Sequence, residues 1–320
     1  MLLSLLTAAF VLLIEFARVT LERAPNWLCG VLACFFLSLN AIPVGLSGLV
    51  PFNPCLGDRY PYTPNQLAFL QSCSRLGSLY INDATVAQDT MQFEAKVVGI
   101  VSFLGNSVVK DIDFPLLTLD SGSMISISGN ENLETISFTG PGGFPIFTSP
   151  SLDISDNPAL ILVNLTAFER NSEVSQISNN TNLMEIDLSK MTGMNENFTI
   201  ADNPSLEFLN FQSLQLIHVT SNLVIIENEN LASVTFSALG TLGGSLTLSD
   251  TNNLVEVNLS NLGSILEAGY LSLFENQLLE NIDFQSLSSI CEYCRLSISG
   301  NPNLQSLSFP SLASRLLFCC

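Results

Sequence analysis

The chain has 320 residues, 47% of them hydrophobic and only 12% charged, and its 29 acidic residues against 10 basic ones leave a net charge near −19. That imbalance excludes nucleic acid and anionic lipid surfaces as partners, since both need a positive protein surface. The apolar content excludes a disordered chain, and the length suffices for one substantial stacked core.

Residues 1–50 read as a targeting region. Leu2–Ile14 is apolar, Arg18, Glu22 and Arg23 interrupt it, and Trp27–Val50 is a second apolar run without a charge. The second run fits a signal peptide with a long preceding region, cleaved near Asn40–Gly48, and it also fits an uncleaved signal anchor that would attach the protein to a membrane. In both readings Arg18 and Arg23 stay on the cytosolic side, which sends the rest of the chain out of the cytosol. Four glycosylation triplets agree with export: Asn164-Leu-Thr, Asn179-Asn-Thr, Asn197-Phe-Thr and Asn258-Leu-Ser. Asn164 and Asn258 each lie between two apolar residues, where strand alternation points them outward.

A capping segment follows. Thr63 with Gln66 three residues on is a capping box, Pro64 suits a first helical position, and a helix over Pro64–Gln71 would put Leu67 and Leu70 on one face. Such a helix would close the first rung of a stacked array, whose strand edges and apolar side chains would otherwise meet water. Cys55 and Cys73 flank it, and a disulfide between them would tie it down with about 3 kcal/mol of loop-entropy stabilisation.

The stretch Cys55…Leu67…Leu70…Cys73-Ser-Arg-Leu-Gly77-Ser-Leu79-Tyr-Ile81, followed by repeated L-x-I…N-x-x-L segments, resembles the receptor L domain over about residues 53–315. That family includes the ligand-binding modules of insulin- and epidermal-growth-factor-receptor ectodomains, and fungal wall proteins related to sporulation-specific protein 2. The resemblance implies a right-handed β-helix of short parallel strands that binds a protein or glycan ligand at the cell surface. The array is longer than a single receptor L domain. Nothing in it resembles a furin-like region or a kinase, and the carboxyl-terminal lipid-anchor signal of the fungal proteins is also missing, so receptor signalling is not implied.

The repeat itself is L-x-I-S-x-N-x-x-L-x-x-I-x-F-x-x-L, cleanest at Leu296–Leu312. Its asparagine recurs at Asn106, Asn130, Asn157, Asn180, Asn203, Asn228, Asn276 and Asn301, with Thr251 in the same slot, which makes nine copies about 24 residues apart. A fixed period in this range signals a solenoid. Each copy reads as two short strands joined by a corner. The residue between the apolar pair of the second strand is polar in every copy, from Asp113 to Ser308, and marks the outside. The corner asparagines read as a structural ladder, because stacked corners leave inward backbone groups that an amide side chain can satisfy from both sides. Thr251 supplies only part of that chemistry and predicts a weaker corner. One residue type recurring once per turn also predicts parallel stacking.

Departures from the repeat are the candidate functional stretches. Between Asn130 and Asn157 the spacing lengthens to 27 around Thr139-Gly-Pro-Gly-Gly-Phe-Pro-Ile-Phe-Thr-Ser-Pro150. Phe144, Ile146 and Phe147 make this the candidate contact loop, unless they tuck back onto the solenoid. Val224, Ile226 and Phe274 replace the usual Ser or Thr, as a small patch or as cover for the loops. Cys291 and Cys294, in Cys-Glu-Tyr-Cys, read as structural disulfide partners near the last rung, and their pairing with each other or with Cys319 and Cys320 stays open.

No catalytic, metal or cofactor site is expected. His218 is the only histidine, in a strand-like Leu-Ile-His-Val context, and no nucleophile elbow or phosphate loop occurs. β-Helical lyases cluster Asp beside Arg or Lys, whereas here Asp is spread along the rungs. The expected organisation is a signal or anchor region over 1–50, an N-terminal cap and first rung over 53–100, and the repeat solenoid over 101–318. The expected role is an exported, non-catalytic binding module, with a structural wall or matrix glycoprotein as the alternative and a β-helical carbohydrate-active enzyme after it.

Overall fold

The computed structural model describes residues 55–312, apart from 56–57, 62–63, 83–88, 94–95, 98, 116–117, 120–122 and 140–149. The chain divides into two units, Met1–Asn53 and Pro54–Cys320, and everything described belongs to the second. The readings made for residues 1–50, and those for Phe144, Ile146 and Phe147, therefore lie outside the described residues.

The fold is an all-β parallel solenoid, a right-handed β-helix with three faces. The first face is a ten-stranded sheet running in strict chain order from Leu79–Asn82, through Ser175–Ser178 and Asn222–Ile226, to Arg295–Ser299. The second face also has ten strands, from Thr90–Gln92 to Ser306–Ser308. Both thus hold one strand more than the eight asparagines and Thr251 anchor, because Leu79–Asn82 and Thr90–Gln92 form a rung ahead of Asn106.

The third face corrects the expectation of two strands per rung. Pairs of residues such as Arg170–Asn171 and Leu216–Ile217 form a further parallel ladder of very short strands. Two residues are too few for a period-two pattern to show, so the sequence does not reveal them. This ladder is split into sheets of three and six strands, and the break between Thr118–Leu119 and Arg170–Asn171 spans residues 140–149.

The core follows from the register. Ile127, Ile154, Ile177, Ile200, Ile225, Leu248, Leu273 and Ile298 stack in one column, one residue per rung. All but the last are fully buried, as are Ile136, Val163 and Ile186 on the second face. The aromatic position that ends the second strand forms its own stack. Phe93 and Phe114 lie 5.2 Å apart, Phe114 and Phe138 5.6 Å, Phe211 and Phe236 5.6 Å, and Phe284 and Phe309 5.1 Å. Each such ring pair adds about 1 kcal/mol beyond the area it buries.

The two ends differ. At the amino end, helix α1 (Pro64–Gln71) has the predicted bounds, and it buries Leu67 and Leu70 against the first rung. Cys55 is disulfide-bonded to Cys73, and its carbonyl accepts from the Gly77 amide, so the cap is tied at both ends. At the other end Leu296, Ile298, Leu304, Phe309 and Leu312 are only partly buried against the core. Among the described residues no helix is long and apolar enough to cross a membrane.

Candidate functional site

The corner between the first and second faces carries a column of polar residues. Each of the nine rungs with a ladder position turns there through a residue with positive φ, immediately ahead of that position. These residues are Gly105, Gly129, Asp156, Asn179, Asp202, Glu227, Asp250, Glu275 and Gly300, all with φ between 54° and 66°. The turn aims the backbone N–H at the next rung: Asp202 donates to the Ile226 carbonyl at 3.3 Å, and Glu227 to the Ser249 carbonyl at 3.2 Å. Glycine adopts this conformation freely and Asp or Asn tolerates it, but Glu227 and Glu275 hold it at a cost of about 1 kcal/mol or more.

Behind this column the ladder asparagines are buried and joined. The Asn130 side-chain amide donates to the Asn157 oxygen at 2.9 Å, and to the carbonyls of Phe103 and Ser128 at 3.0 and 3.2 Å. Asn157, Asn180 and Asn203 repeat the pattern, each donating to the asparagine one rung on. Each backbone N–H also donates to that same oxygen, as from Asn180 to Asn203 at 3.1 Å. The chain of amides changes at Thr251. Its hydroxyl donates to the Asn276 oxygen at 2.6 Å, but it has no amide oxygen to offer Asn228, which keeps only the two carbonyl bonds common to the ladder, to Ile200 and Ile226.

The corner residues enclose an open groove of about 470 Å³, lined by Asn179, Thr181, Asp202, Pro204, Glu227, Glu229, Asp250 and Asn252. Four of these are carboxylates and none is Lys or Arg, so the groove repels anions and favours cationic or hydrogen-bond-donating groups. Neighbouring rungs are about 4.8 Å apart, which stacks Asp202, Glu227 and Asp250 as like charges. A hydrogen bond with Asp202 and the charge of Asp202, aided by desolvation and the Asp250 charge, hold the Glu227 carboxyl above its ordinary value. The sequence signal for this column was the run of Gly, Asp and Asn directly before the ladder positions, the residues that favour a left-handed turn. It goes unread when only the asparagines are counted.

The sequence-predicted sites are scattered. Asn164 and Asn258 stand on the second face, where their side-chain oxygens accept from the Thr166 and Ser260 amides, each at 3.1 Å. Asp187, Asn210 and Asp283 close the same turn two residues on, so this outward polar column also shapes the exit from the second strand. Asn179 lines the groove. Asn197 lies beside the first face, where its oxygen accepts from the Asn222 amide and side chain at 3.0 and 2.8 Å. Val224, Ile226 and Phe274 are half-buried on the first face, and Ile226 and Phe274 flank Ser249, which they help to cover. Cys291 and Cys294 are bonded to each other, beside the last third-face strand. His218 is an exposed corner residue whose ring nitrogen lies 3.4 Å from the Thr220 hydroxyl.

No protein-family model matches this sequence, and no curated protein or solved structure matches it either.

Proposed function

We propose that the protein is an exported binding module of the receptor-L-domain kind, which presents its solenoid to a protein or glycan ligand at a cell surface or in the extracellular matrix and does no catalysis. The observation that carries the exported character is the pair of disulfides, Cys55–Cys73 and Cys291–Cys294, since such bonds persist in oxidising compartments. Surface placement of the Asn164 and Asn258 triplets supports it, because the amide nitrogen that receives a glycan takes no part in the turn held by the oxygen. The acidic groove is one concave feature of the described surface that would select a ligand, and its charge favours basic or neutral partners.

Expression in a glycosylating cell tests the reading. A mature amino terminus near Ile42–Leu49, a mass loss on enzymatic deglycosylation, and saturable binding of labelled protein to cells or matrix are expected. Weaker binding by Asp202→Asn/Glu227→Gln would locate the ligand in the groove, and by Phe144→Ala/Phe147→Ala in the contact loop. Export without saturable binding would favour a structural wall or matrix glycoprotein.

A further inference from the structure

The turn from the third face back to the first is built the same way at His218–Ser221, Leu266–Gly269 and Cys291–Cys294, and the last of the three holds a disulfide. In each, the fourth residue donates its amide to the carbonyl of the first, from Ser221 at 2.9 Å, from Gly269 at 2.8 Å and from Cys294 at 3.1 Å. The first residue donates to the rung before it, His218 to Met194 at 2.9 Å, Leu266 to Leu242 at 2.8 Å and Cys291 to Ile265 at 3.0 Å. Backbone hydrogen bonds thus hold the turn. The bond between Cys291 and Cys294 is added to a geometry that the other two turns reach without it.

The same comparison separates the two sulfurs. The first turn position faces water, where His218 and Leu266 are exposed, and the fourth faces the core, where Ser221 and Gly269 are buried. Cys291 is therefore the outer sulfur, and Cys294, packed partly against the core, is the inner one. The Ser221 hydroxyl donates to the Met194 carbonyl, the last residue of the third-face strand one rung back, at 3.1 Å. Ile265 holds the same place behind Cys294, whose Sγ lies 3.2 Å from its carbonyl oxygen. A Cys294 thiol would donate there as Ser221 does, so the dithiol fits the backbone that holds the disulfide. Cys73, in the other disulfide, is buried, and its bond closes the longer loop.

We propose that Cys291–Cys294 is a thiol–disulfide exchange site for a partner that carries a pair of cysteine thiols. A partner thiolate attacks the outer Cys291 sulfur, a mixed disulfide forms there, and the Cys291–Cys294 bond breaks with its electron pair leaving on Cys294. Cys294 takes up a proton and donates it in a hydrogen bond to the Ile265 carbonyl, a bonded resting place for the released sulfur. The partner's second thiolate then attacks its own bonded sulfur, a disulfide closes in the partner, and Cys291 leaves and is protonated. The partner loses two electrons and two protons, and the solenoid gains both. Tyr293, 78% exposed between the two cysteines, stands where the partner would touch. The exchange is independent of the acidic groove and of any ligand selected there.

The test mixes the full chain, as expressing cells produce it, with a reduced two-cysteine peptide in the absence of oxygen. Thiols are then alkylated at timed intervals and located by peptide mass spectrometry. The peptide should become its disulfide one for one with the solenoid, and Cys291–Cys294 should open at least about tenfold faster than Cys55–Cys73. Cys291→Ser/Cys294→Ser should leave the peptide reduced while melting within about 2 °C of the parent, because the turn forms without the bond. Single variants test the two roles with glutathione disulfide as the probe. Cys294→Ser should take up glutathione on Cys291 at least about tenfold faster than Cys291→Ser does on Cys294. A peptide that stays reduced with the parent, or two disulfides that open at equal rates, overturns the proposal. So does a larger melting loss in the double variant, which would make the bond part of the fold, or equal or reversed uptake by the single variants.

Discussion

Asn203 donates from its side chain to the Asn228 oxygen and to the carbonyls of Ile177 and Ala201, while its own oxygen accepts from Asn180. Removing it leaves several buried groups without partners, which matters more than the loss of any single net hydrogen bond. Asn203→Ala is expected to destabilise by roughly 3 kcal/mol and lower the melting temperature by roughly 5–10 °C. A shift within one or two degrees, read by circular dichroism, would mean the ladder contributes little. Thr251→Asn should act in the opposite direction, by about 1 kcal/mol, because it offers Asn228 the amide oxygen that every other junction in the run has.

Glu227 gives a prediction with a pH sign. Its raised carboxyl binds a proton more tightly in the folded state than in the unfolded one, so ionisation opposes folding. The penalty is absent below the ordinary carboxylate range, grows as pH rises through the raised value, and is fully present at neutral pH. Glu227→Gln should therefore melt higher than the parent at pH 7 and at the same temperature at strongly acid pH, with the gap reduced by salt. A gap independent of both pH and salt would point to packing instead of charge.

At the scale of the rung, the third face shows how little chain is needed to close the triangle. Its strands are two residues long, and the turn back to the first face runs so tightly that Gly244 has no room for a side chain. A Cβ there would stand 2.0 Å from the Ser221 carbonyl oxygen and 2.3 Å from that of His218. Backbone must move to admit it, and Gly244→Ala should destabilise by about 3 kcal/mol or prevent folding. Gly240→Ala is the control, since its Cβ would meet the Gln215 oxygen at 3.9 Å, an ordinary contact. Equal melting temperatures for the two variants would show that the corner relaxes freely.

At the scale of the molecule, a solenoid is held by nearest-neighbour contacts, so its ends set where it opens. The amino end has helix α1 and a disulfide with a sequence separation of 18 residues, whereas the core side chains of the last rung are partly exposed. Hydrogen exchange should therefore be slowest for the strands between Ser175 and Ser249, and faster in Arg295–Ser299 than in Leu79–Asn82. Reduction of the disulfides should speed exchange most in Leu79–Asn82, because Cys55–Cys73 closes a longer loop than Cys291–Cys294. If the last rung exchanges as slowly as the centre in the untreated protein, its core is better covered than the described residues show.

The sequence alone determined the parallel stack, the first and second strands of each rung, the inward columns and the cap helix. Those features repeat once per turn or follow local rules, so 24-residue spacing, two-residue alternation and capping chemistry all report them. The left-handed corner was legible too, in Gly105, Asp156, Asn179 and their kin. The third face was not, because two-residue strands carry no period. Only the tertiary structure placed Asp202, Glu227 and Asp250 in one groove. Residues that lie far apart along the chain become neighbours only once stacking has fixed every rung at its height. That is a property of register between turns, which no single turn encodes.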